Sequence, residues 1–185
     1  AFRPDIVAFS AKTGEHKYYL AANNQIKGLD CSIFTVIGGP HATFFPEIIS
    51  QYDINALCVG EGDDAWPELL TALENKTSID NIPNIVTKAN FSLGVPPVMR
   101  ERRRALDDLP FLDRELFYSS TRLGRFPMRS FMVSRGCPYK CTYCFNKEIV
   151  DLDKGEGGAK AMKENNRAYP SERRREEMHR LKRNH

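Results

Sequence analysis

The chain has 185 residues and a mass of 21.1 kDa, enough for one full domain, or for one domain and part of another, but not for two large ones. Its composition, 41% hydrophobic and 28% charged, excludes a largely disordered chain, and its net charge of +3, gathered mainly at 100–104 and after 166, does not by itself indicate nucleic acid. No apolar run approaches the roughly 18 residues of a membrane span and no signal-peptide pattern opens the chain, so we predict no membrane span and a cytoplasmic location.

Three strand–helix units are predicted in residues 1–100. Apolar runs at 5–10, 31–39 and 56–60 indicate strands that are buried on both faces. Each run is followed by apolar residues at helical spacing, and the expected buried positions are Tyr19, Ala22, Ile26, Phe45, Ile48, Ile49, Tyr52, Trp66, Leu69, Leu70 and Leu73. We expect Asn23, Asn24 and Lys27 to face water and Gly28 to end the first helix. The pattern predicts an α/β fold with a Rossmann-like parallel sheet covered on both sides.

The rest of the chain is predicted to be less regular. Because Pro96 and Pro97 exclude a central strand, 84–100 indicates two edge strands joined by a turn. We interpret 101–128 as a linker, and 129–150 as the start of a second domain with a strand at 129–134. The charged tail at 151–185 is expected to be disordered or, from Ser171 onwards, partly helical and solvated.

Three of the five cysteines, Cys137, Cys141 and Cys144, lie in the spacing C-x3-C-x2-C behind an apolar run. An odd number of cysteines, with three close together, favours reduced thiols and a metal over a disulfide framework. Thiolates are the ligands of iron–sulfur clusters, and three of them leave one iron of a four-iron cube open to a substrate. Gly136 suits a sharp turn beside such a cluster, and Pro138 stiffens the loop.

The stretch "CPYKCTYC" resembles the signature of the radical S-adenosylmethionine (radical SAM) superfamily. The resemblance implies a 4Fe-4S cluster on the three cysteines and S-adenosylmethionine on its open iron. One electron, supplied by a reductant such as flavodoxin or ferredoxin, then cleaves the sulfonium to a 5'-deoxyadenosyl radical. Tyr143 matches the family position that lies against the adenine, and Phe145 is expected to contact the same cofactor.

Other interpretations of the cysteines stay open. A zinc site would need a fourth ligand, and His41, His179 and His185 are remote in sequence from the loop. A thioredoxin-like dithiol would leave one of the three cysteines unexplained, and three packed structural cysteines are a further alternative. Cys31 and Cys58, by contrast, lie within predicted strands, and we expect both in the core.

The loops after the three predicted strands, 10–14, 38–41 and 60–64, are expected to meet at the carboxyl edge of the sheet. This edge is where open α/β sheets bind ligands, and its glycines favour a nucleotide-like ligand. A dinucleotide fingerprint is missing from the sequence. We interpret the acids Glu61, Asp63 and Asp64 as capping the next helix, not as acid–base catalysts or metal ligands.

The order of motifs over residues 3–150 resembles the cobalamin-binding branch of the radical SAM superfamily: "PDIVAFSAKTG", "IGGPHATFFPEII", "LCVGEGDDAWPELL", "DDLPFLDRELF" and then the cysteine motif. The resemblance implies a cobalamin-binding type of Rossmann-like domain, with the cobalamin contacts Ser10, Thr13, Gly14, Gly38, Gly39, Pro40, His41, Gly60 and Glu61. The chemistry of this branch is commonly radical methylation, ring formation or rearrangement. The loop D-x-H-x-x-G is absent, so no histidine ligand of cobalt is predicted, and His16 and His41 are interpreted as loop hydrogen-bonding residues.

We therefore predict a radical SAM enzyme with a cobalamin-binding domain, acting on an unknown small molecule. The first strand of the cobalamin domain and most of the radical SAM barrel are expected to be missing, so the chain alone is predicted to be a catalytically incomplete fragment, and no catalytic residue is assigned. Two alternatives are a non-catalytic fragment that binds cobalamin or a cluster, and a tRNA methylthiotransferase-like radical SAM protein. Nucleic-acid binding by the arginine clusters is a further alternative to a solvated face and linker.

Overall fold

The computed structural model describes residues 3–94, 96–139, 141–146, 148–149 and 166–183. The chain divides into two compact units, Ala1–Arg102 and Arg103–His185. The predicted division of the chain after residues 100, 128 and 150 stays a prediction.

The first unit is built on a four-stranded sheet with the order β1-β2-β3-β4. The strands are β1 Ile6–Ser10, β2 Phe34–Gly38, β3 Ala56–Cys58 and β4 Ile85–Val86. The first three strands run parallel, with Val36 opposite both Ala8 and Ala56, and β4 pairs antiparallel with β3. The predicted α/β fold with a Rossmann-like parallel sheet is confirmed.

Four helices lie between these strands, α1 His16–Leu29, α2 Pro40–Phe44, α3 Ile48–Gln51 and α4 Ala65–Glu74, and α5 Lys88–Ser92 follows β4. The single helix expected after β2 is two short helices, because Pro46 has no N–H to continue the ladder. Phe45, at the break, is 40% exposed and does not join the buried face predicted for it. Leu70 of α4 is likewise exposed. Within the described part of the chain, no helix is long and apolar enough to cross a membrane.

Neighbouring residues of a strand point to opposite sides of the sheet. Helices cover both sides, so the sheet is buried on both faces. One side forms a core cluster with Ala65 and Leu69 of α4, and its strand members are Val36, Ala56, Cys58 and Ile85. The other side packs against α1, α2 and α3, and its members include Ile37, Leu57, Val86, Leu20, Ala42, Ile48 and Ile49. The prediction of a sheet covered on both sides is correct.

The polar face predicted for α1 is wrong at two of its three residues. Asn23 is fully buried, and its Nδ2 donates to the backbone oxygen of Asp53 at 3.0 Å. Lys27 is half-buried and donates from Nζ to the backbone oxygen of Ile33 at 2.6 Å and to Oδ1 of Asn55 at 2.7 Å. Both side chains satisfy polar groups at the starts of neighbouring strands. The helix also continues past Gly28 and ends at Leu29.

The segment 84–100 contains a strand and a helix, not two edge strands. After β4, the hydroxyl of Thr87 accepts from the backbone N–H of Asn90 at 3.3 Å, and the side chain of Asn90 accepts from the backbone N–H of Thr87 at 2.9 Å. This capping box starts α5 immediately after the strand. The prolines that suggested an edge strand lie beyond the helix.

The second unit contains α6 Arg114–Ser120, short 3-10 helices at Leu106–Asp108 and Arg122–Arg125, and two paired strands. The strands, β5 Ser134–Arg135 and β6 Arg167–Ala168, pair antiparallel. The strand predicted at 129–134 is therefore wrong over 129–133, where the backbone has no strand partner among the described residues.

The helix α7, Ser171–Arg183, lies in the tail where partial helix was expected. It is not solvated on every face: Nε and Nη2 of Arg114 donate to Oε1 of Glu177 at 2.9 and 2.8 Å, with both side chains 14% exposed. The phenyl ring of Phe111 also lies beside the guanidinium groups of Arg173 and Arg180, at 4.3 and 3.9 Å from its centre. The tail residues 151–165 lie outside the described residues.

Candidate functional site at the carboxyl edge of the sheet

The loops after β1 and β2 are joined by backbone hydrogen bonds at the carboxyl edge of the sheet. The N–H of Ala11 donates to the oxygen of Gly38 at 2.9 Å, and the N–H of His41 donates to the oxygen of Ala11 at 2.9 Å. The first predicted loop, which contains Ser10, Thr13 and Gly14, therefore lies directly against the second.

Gly39 allows this close approach. Its φ of 88° lies in the region that favours glycine, and a Cβ there would lie 2.9 Å from both the N and the O of Ala11. Pro40 follows as the first residue of α2, where its fixed φ suits the helix and its missing N–H costs nothing. The sequence analysis singled out these glycines for the approach of a ligand, and it did not foresee the close approach of Ala11 to Gly39.

Thr43 connects the second loop to the third. Its Oγ1 donates to the backbone oxygen of Gly39 at 3.0 Å and accepts from the backbone N–H of Gly60 at 2.9 Å. One side chain of α2 thus brings the ends of β2 and β3 together. The sequence analysis missed Thr43, because its donor at Gly60 becomes a neighbour only when the sheet forms.

Asn84 fixes the third loop from the other side, and it was also missed. This residue is 2% exposed, with φ at 68°, and its Nδ2 donates to the backbone oxygen of Val59 at 2.7 Å. Its Oδ1 accepts from the backbone N–H of Arg100 at 3.0 Å. Gly60, with φ at 72°, has no room for a side chain, since a Cβ would lie 2.6 Å from Cε of Met99.

His41 is the most buried ionisable side chain at this edge, at 5% exposed. Its Nδ1 lies 3.2 Å from Oγ1 of Thr13, and its ring stacks on the ring of His16 with 3.7 Å between centres. His16 accepts at Nδ1 from the N–H of Gly14 at 3.1 Å. Burial, followed by the charge of His16, lowers the pKa of His41. The two histidines hydrogen-bond as predicted, but both lie at the starts of helices, not in loops.

Among the described residues, Nε2 of His41 is a buried nitrogen without a hydrogen-bond partner. A buried polar atom of this kind needs an explanation, because leaving it unpaired costs about 1–3 kcal/mol.

The acids after Gly60 start a helix without capping it by a side chain. α4 begins at Ala65, and the side chain of Asp64, at the N-cap, accepts no capping hydrogen bond. The predicted side-chain capping is therefore wrong, because the backbone of Asp64 is helical, with φ at −97° and ψ at −37°, whereas a capping side chain needs an extended backbone. Nearby, burial and then the charge of Asp63 raise the pKa of the Cys58 thiol to about 11.

The expected core positions of the two isolated cysteines are half right. Cys58 is buried in β3, as predicted. Cys31 is exposed, because it lies in the turn before β2, which begins only at Phe34.

The three clustered cysteines are free thiols and half-buried. The N–H of Cys144 donates to the oxygen of Cys141 at 3.1 Å, and Gly136 turns the chain before the first cysteine with φ at 81°. Tyr143 is 91% exposed and Phe145 45% exposed. In the described ranges, no group of three or more histidine, cysteine or acidic side chains is close enough to hold a metal ion. The donor chemistry suits an iron–sulfur cluster, and its ligation by these residues stays a prediction.

Comparison with known proteins relates part of the first unit to a family. Residues 1–70 match the family model of the B12 binding domain. A solved structure of the cobalamin-dependent S-adenosylmethionine radical enzyme OxsB, with aqua-cobalamin and S-adenosylmethionine bound, shares the fold: the TM-score is 0.57 at 22% identity, over 76% of this chain and 20% of that one.

The matches to two curated relatives cover more of the chain than the match to the B12 binding domain does. An uncharacterized methyltransferase of Pyrococcus horikoshii is 30% identical over 146 residues, which are 77% of this chain and 32% of the relative. Hopanoid C-3 methylase of Methylococcus capsulatus is 32% identical over 157 residues, which are 77% of this chain and 28% of the relative. The chain thus spans about a third, or less, of each. The predicted resemblance to cobalamin-binding radical SAM enzymes is confirmed, as is a relation to enzymes.

Proposed function

We propose that this chain is the cobalamin-binding and cluster-binding part of a radical SAM enzyme that transfers methyl groups. The observation that supports this most is the combination, in one chain, of a match to the B12-binding domain at residues 1–70 and a C-x3-C-x2-C motif at 137–144. The names of the two relatives, a methyltransferase and a methylase, favour methyl transfer over ring formation or rearrangement.

In this proposal Cys137, Cys141 and Cys144 hold three irons of a 4Fe-4S cluster, and S-adenosylmethionine binds the fourth. When bound, the cluster and S-adenosylmethionine supply a 5'-deoxyadenosyl radical. The chain provides three thiolate donors from one short loop and, at Tyr143 and Phe145, exposed aromatic side chains of the kind that cover an adenine. Gly136 lets the backbone turn close to the cluster.

Cobalamin is proposed to bind at the carboxyl edge of the sheet, where it would supply a methyl carrier. Two features of the structure fit such a ligand: the hydrogen bonds that hold the three strand-end loops together at this edge, and the unpaired Nε2 of His41. The proposed contacts are Ser10, Thr13, Gly14, Gly38, Gly39, Pro40, His41, Gly60 and Glu61. The neutral state that burial favours for His41 suits an uncharged hydrogen-bonding partner.

The proposal also includes an unknown small-molecule substrate, a one-electron reductant such as flavodoxin or ferredoxin, and a cytoplasmic location. A non-catalytic fragment that binds cobalamin or a cluster is the second candidate, because the chain spans only 32% and 28% of the two relatives. The match to the B12-binding domain disfavours a tRNA methylthiotransferase-like protein. The arginine clusters are not a fully solvated face, because Arg167 is 8% exposed and Arg173 and Arg180 lie over the ring of Phe111.

Anaerobic reconstitution of the full chain with iron, sulfide and hydroxocobalamin tests the proposal. We expect four irons and one cobalamin per chain, and loss of iron but not of cobalamin when Cys137, Cys141 and Cys144 are replaced by serine. Cys31→Ser is the matched control, because this exposed cysteine lies in the other unit, and it should leave iron binding unchanged. Iron retained by the triple variant would contradict the cluster assignment. Formation of 5'-deoxyadenosine from S-adenosylmethionine separates an enzyme from a binding fragment.

A further inference from the structure

The unpaired Nε2 of His41 suggests a specific role for this side chain. The residue is 5% exposed, and its other ring nitrogen already lies 3.2 Å from the hydroxyl of Thr13. The ring contacts His16 on one side and Phe45 at 4.9 Å between centres. Thr13, His16 and Phe45 thus contact the imidazole, whereas Nε2 has no hydrogen-bond partner among the described residues.

Either tautomer of His41 leaves Nε2 short of a partner. If Nδ1 carries the proton and donates to Thr13, Nε2 is a bare acceptor, and if Thr13 donates to Nδ1, then Nε2–H is an unused donor. A primary amide can serve both cases, since it has an N–H donor and a C=O acceptor on the same group. The corrin ring of cobalamin has such amides around its rim.

We propose that Nε2 of His41 hydrogen-bonds to an amide of the corrin ring, which makes His41 a positioning residue for cobalamin and not a ligand of its cobalt. This inference rests on the proposed function.

The surroundings of His41 favour a neutral partner over the phosphate of the nucleotide tail. A phosphate would stabilise a protonated ring, whereas burial and the neighbouring His16 both oppose protonation, and Glu47 alone favours it. A bond from Nε2 to cobalt would require the ring to leave its stack with His16. The neighbouring Thr13 and Phe45 hold the ring in place and so disfavour this bond.

The test measures the dissociation constants of hydroxocobalamin and of cobinamide, which keeps the corrin amides and lacks the nucleotide tail, by absorbance titration of the full chain. The variants are His41→Phe, which removes the hydrogen bond, and His41→Gln, whose amide restores it. His41→Leu is the second apolar variant should the phenylalanine prevent folding, which circular dichroism reports. His179→Phe, an exposed histidine of α7, is the control.

We expect the apolar variants to bind both corrinoids about tenfold more weakly, corresponding to a loss of about 1.4 kcal/mol. His41→Gln should recover most of the affinity with an unchanged visible spectrum of the corrin, and His179→Phe should match the wild type. The inference would be overturned if the apolar variants bound both corrinoids as tightly as the wild type, or if they lost affinity for hydroxocobalamin only. A changed visible spectrum of the corrin in His41→Gln would also overturn it. If the wild type binds neither corrinoid, the cobalamin part of the proposed function fails instead, and this result is distinct from the other three.

Discussion

The hydroxyl of Thr43 accepts a hydrogen bond from the backbone N–H of Gly60 at 2.9 Å, and this bond joins the loops that follow β2 and β3. Thr43→Val keeps the shape of the side chain and leaves this N–H without its partner. Because the bond is only half-buried, we expect the free energy of unfolding to fall by about 0.5–1.5 kcal/mol, the usual net contribution of a hydrogen bond. Urea denaturation followed by circular dichroism measures it.

Thr71→Val is the matched control for this prediction. Its hydroxyl donates to the backbone oxygen of Pro67 at 2.9 Å on the exposed side of α4, where water can replace the lost bond. The expected change is about 0.5 kcal/mol or less. Equal effects of the two substitutions would show that the bond between the loops contributes little.

Gly39→Ala should destabilise the first unit more than an ordinary glycine substitution. The φ of 88° and the 2.9 Å approach to the backbone of Ala11 leave a Cβ no room. We therefore expect the free energy of unfolding to fall by about 1–3 kcal/mol. Gly28→Ala, within α1 and with nothing within 4 Å of the new Cβ, should stabilise by about 0.5–1 kcal/mol. The urea midpoint of each variant, compared with that of the wild type, shows whether the substitution destabilises or stabilises the chain. A stabilising Gly39→Ala would contradict the close approach.

Cys31 and Cys58 should differ in reactivity when the three clustered cysteines are replaced by serine. Cys31 is exposed, whereas Cys58 is buried and its raised pKa of about 11 leaves about a hundredfold less thiolate than the usual value of 9.0. We expect one thiol to react quickly with Ellman's reagent at pH 8 and the second only after unfolding in urea. Two rapidly reacting thiols in the folded chain would show that β3 is accessible.

The lowered pKa of His41 predicts how stability depends on pH. In the unfolded chain His41 is protonated below its ordinary pKa of 6.5, whereas in the folded chain its pKa is lower. At pH values between these two pKa values, unfolding is therefore accompanied by proton uptake. The free energy of unfolding is therefore highest above 6.5 and falls as the pH decreases from 6.5 through the lower folded value. Urea midpoints of the wild type and of His41→Gln between about pH 5 and 8 test this, and the glutamine variant should lose part of the slope. Parallel curves would remove His41 as the cause.

Much of the first unit could be predicted from local sequence. The runs around Val36 and Leu57 are apolar at successive positions, which indicates strands buried on both faces, and the structure places their alternate residues in two separate core clusters. The strand expected at 129–134 failed because an apolar run of this length does not by itself specify a partner, and only Ser134 pairs.

The sequence by itself determined the three strand–helix units of the first compact unit, the order of its loops and the cysteine motif, because these depend on periodicity and spacing between near neighbours. Only the tertiary structure decided that Asn23 is buried, that Thr43 joins two loops and that Asn84 holds the third. Their hydrogen-bond partners lie 30, 17 and 25 positions away along the chain, so these contacts form only after the helices have packed on the sheet. Local periodicity contains no information about such distant pairs, and this is why Asn23 was placed on the wrong face and the roles of Thr43 and Asn84 were missed.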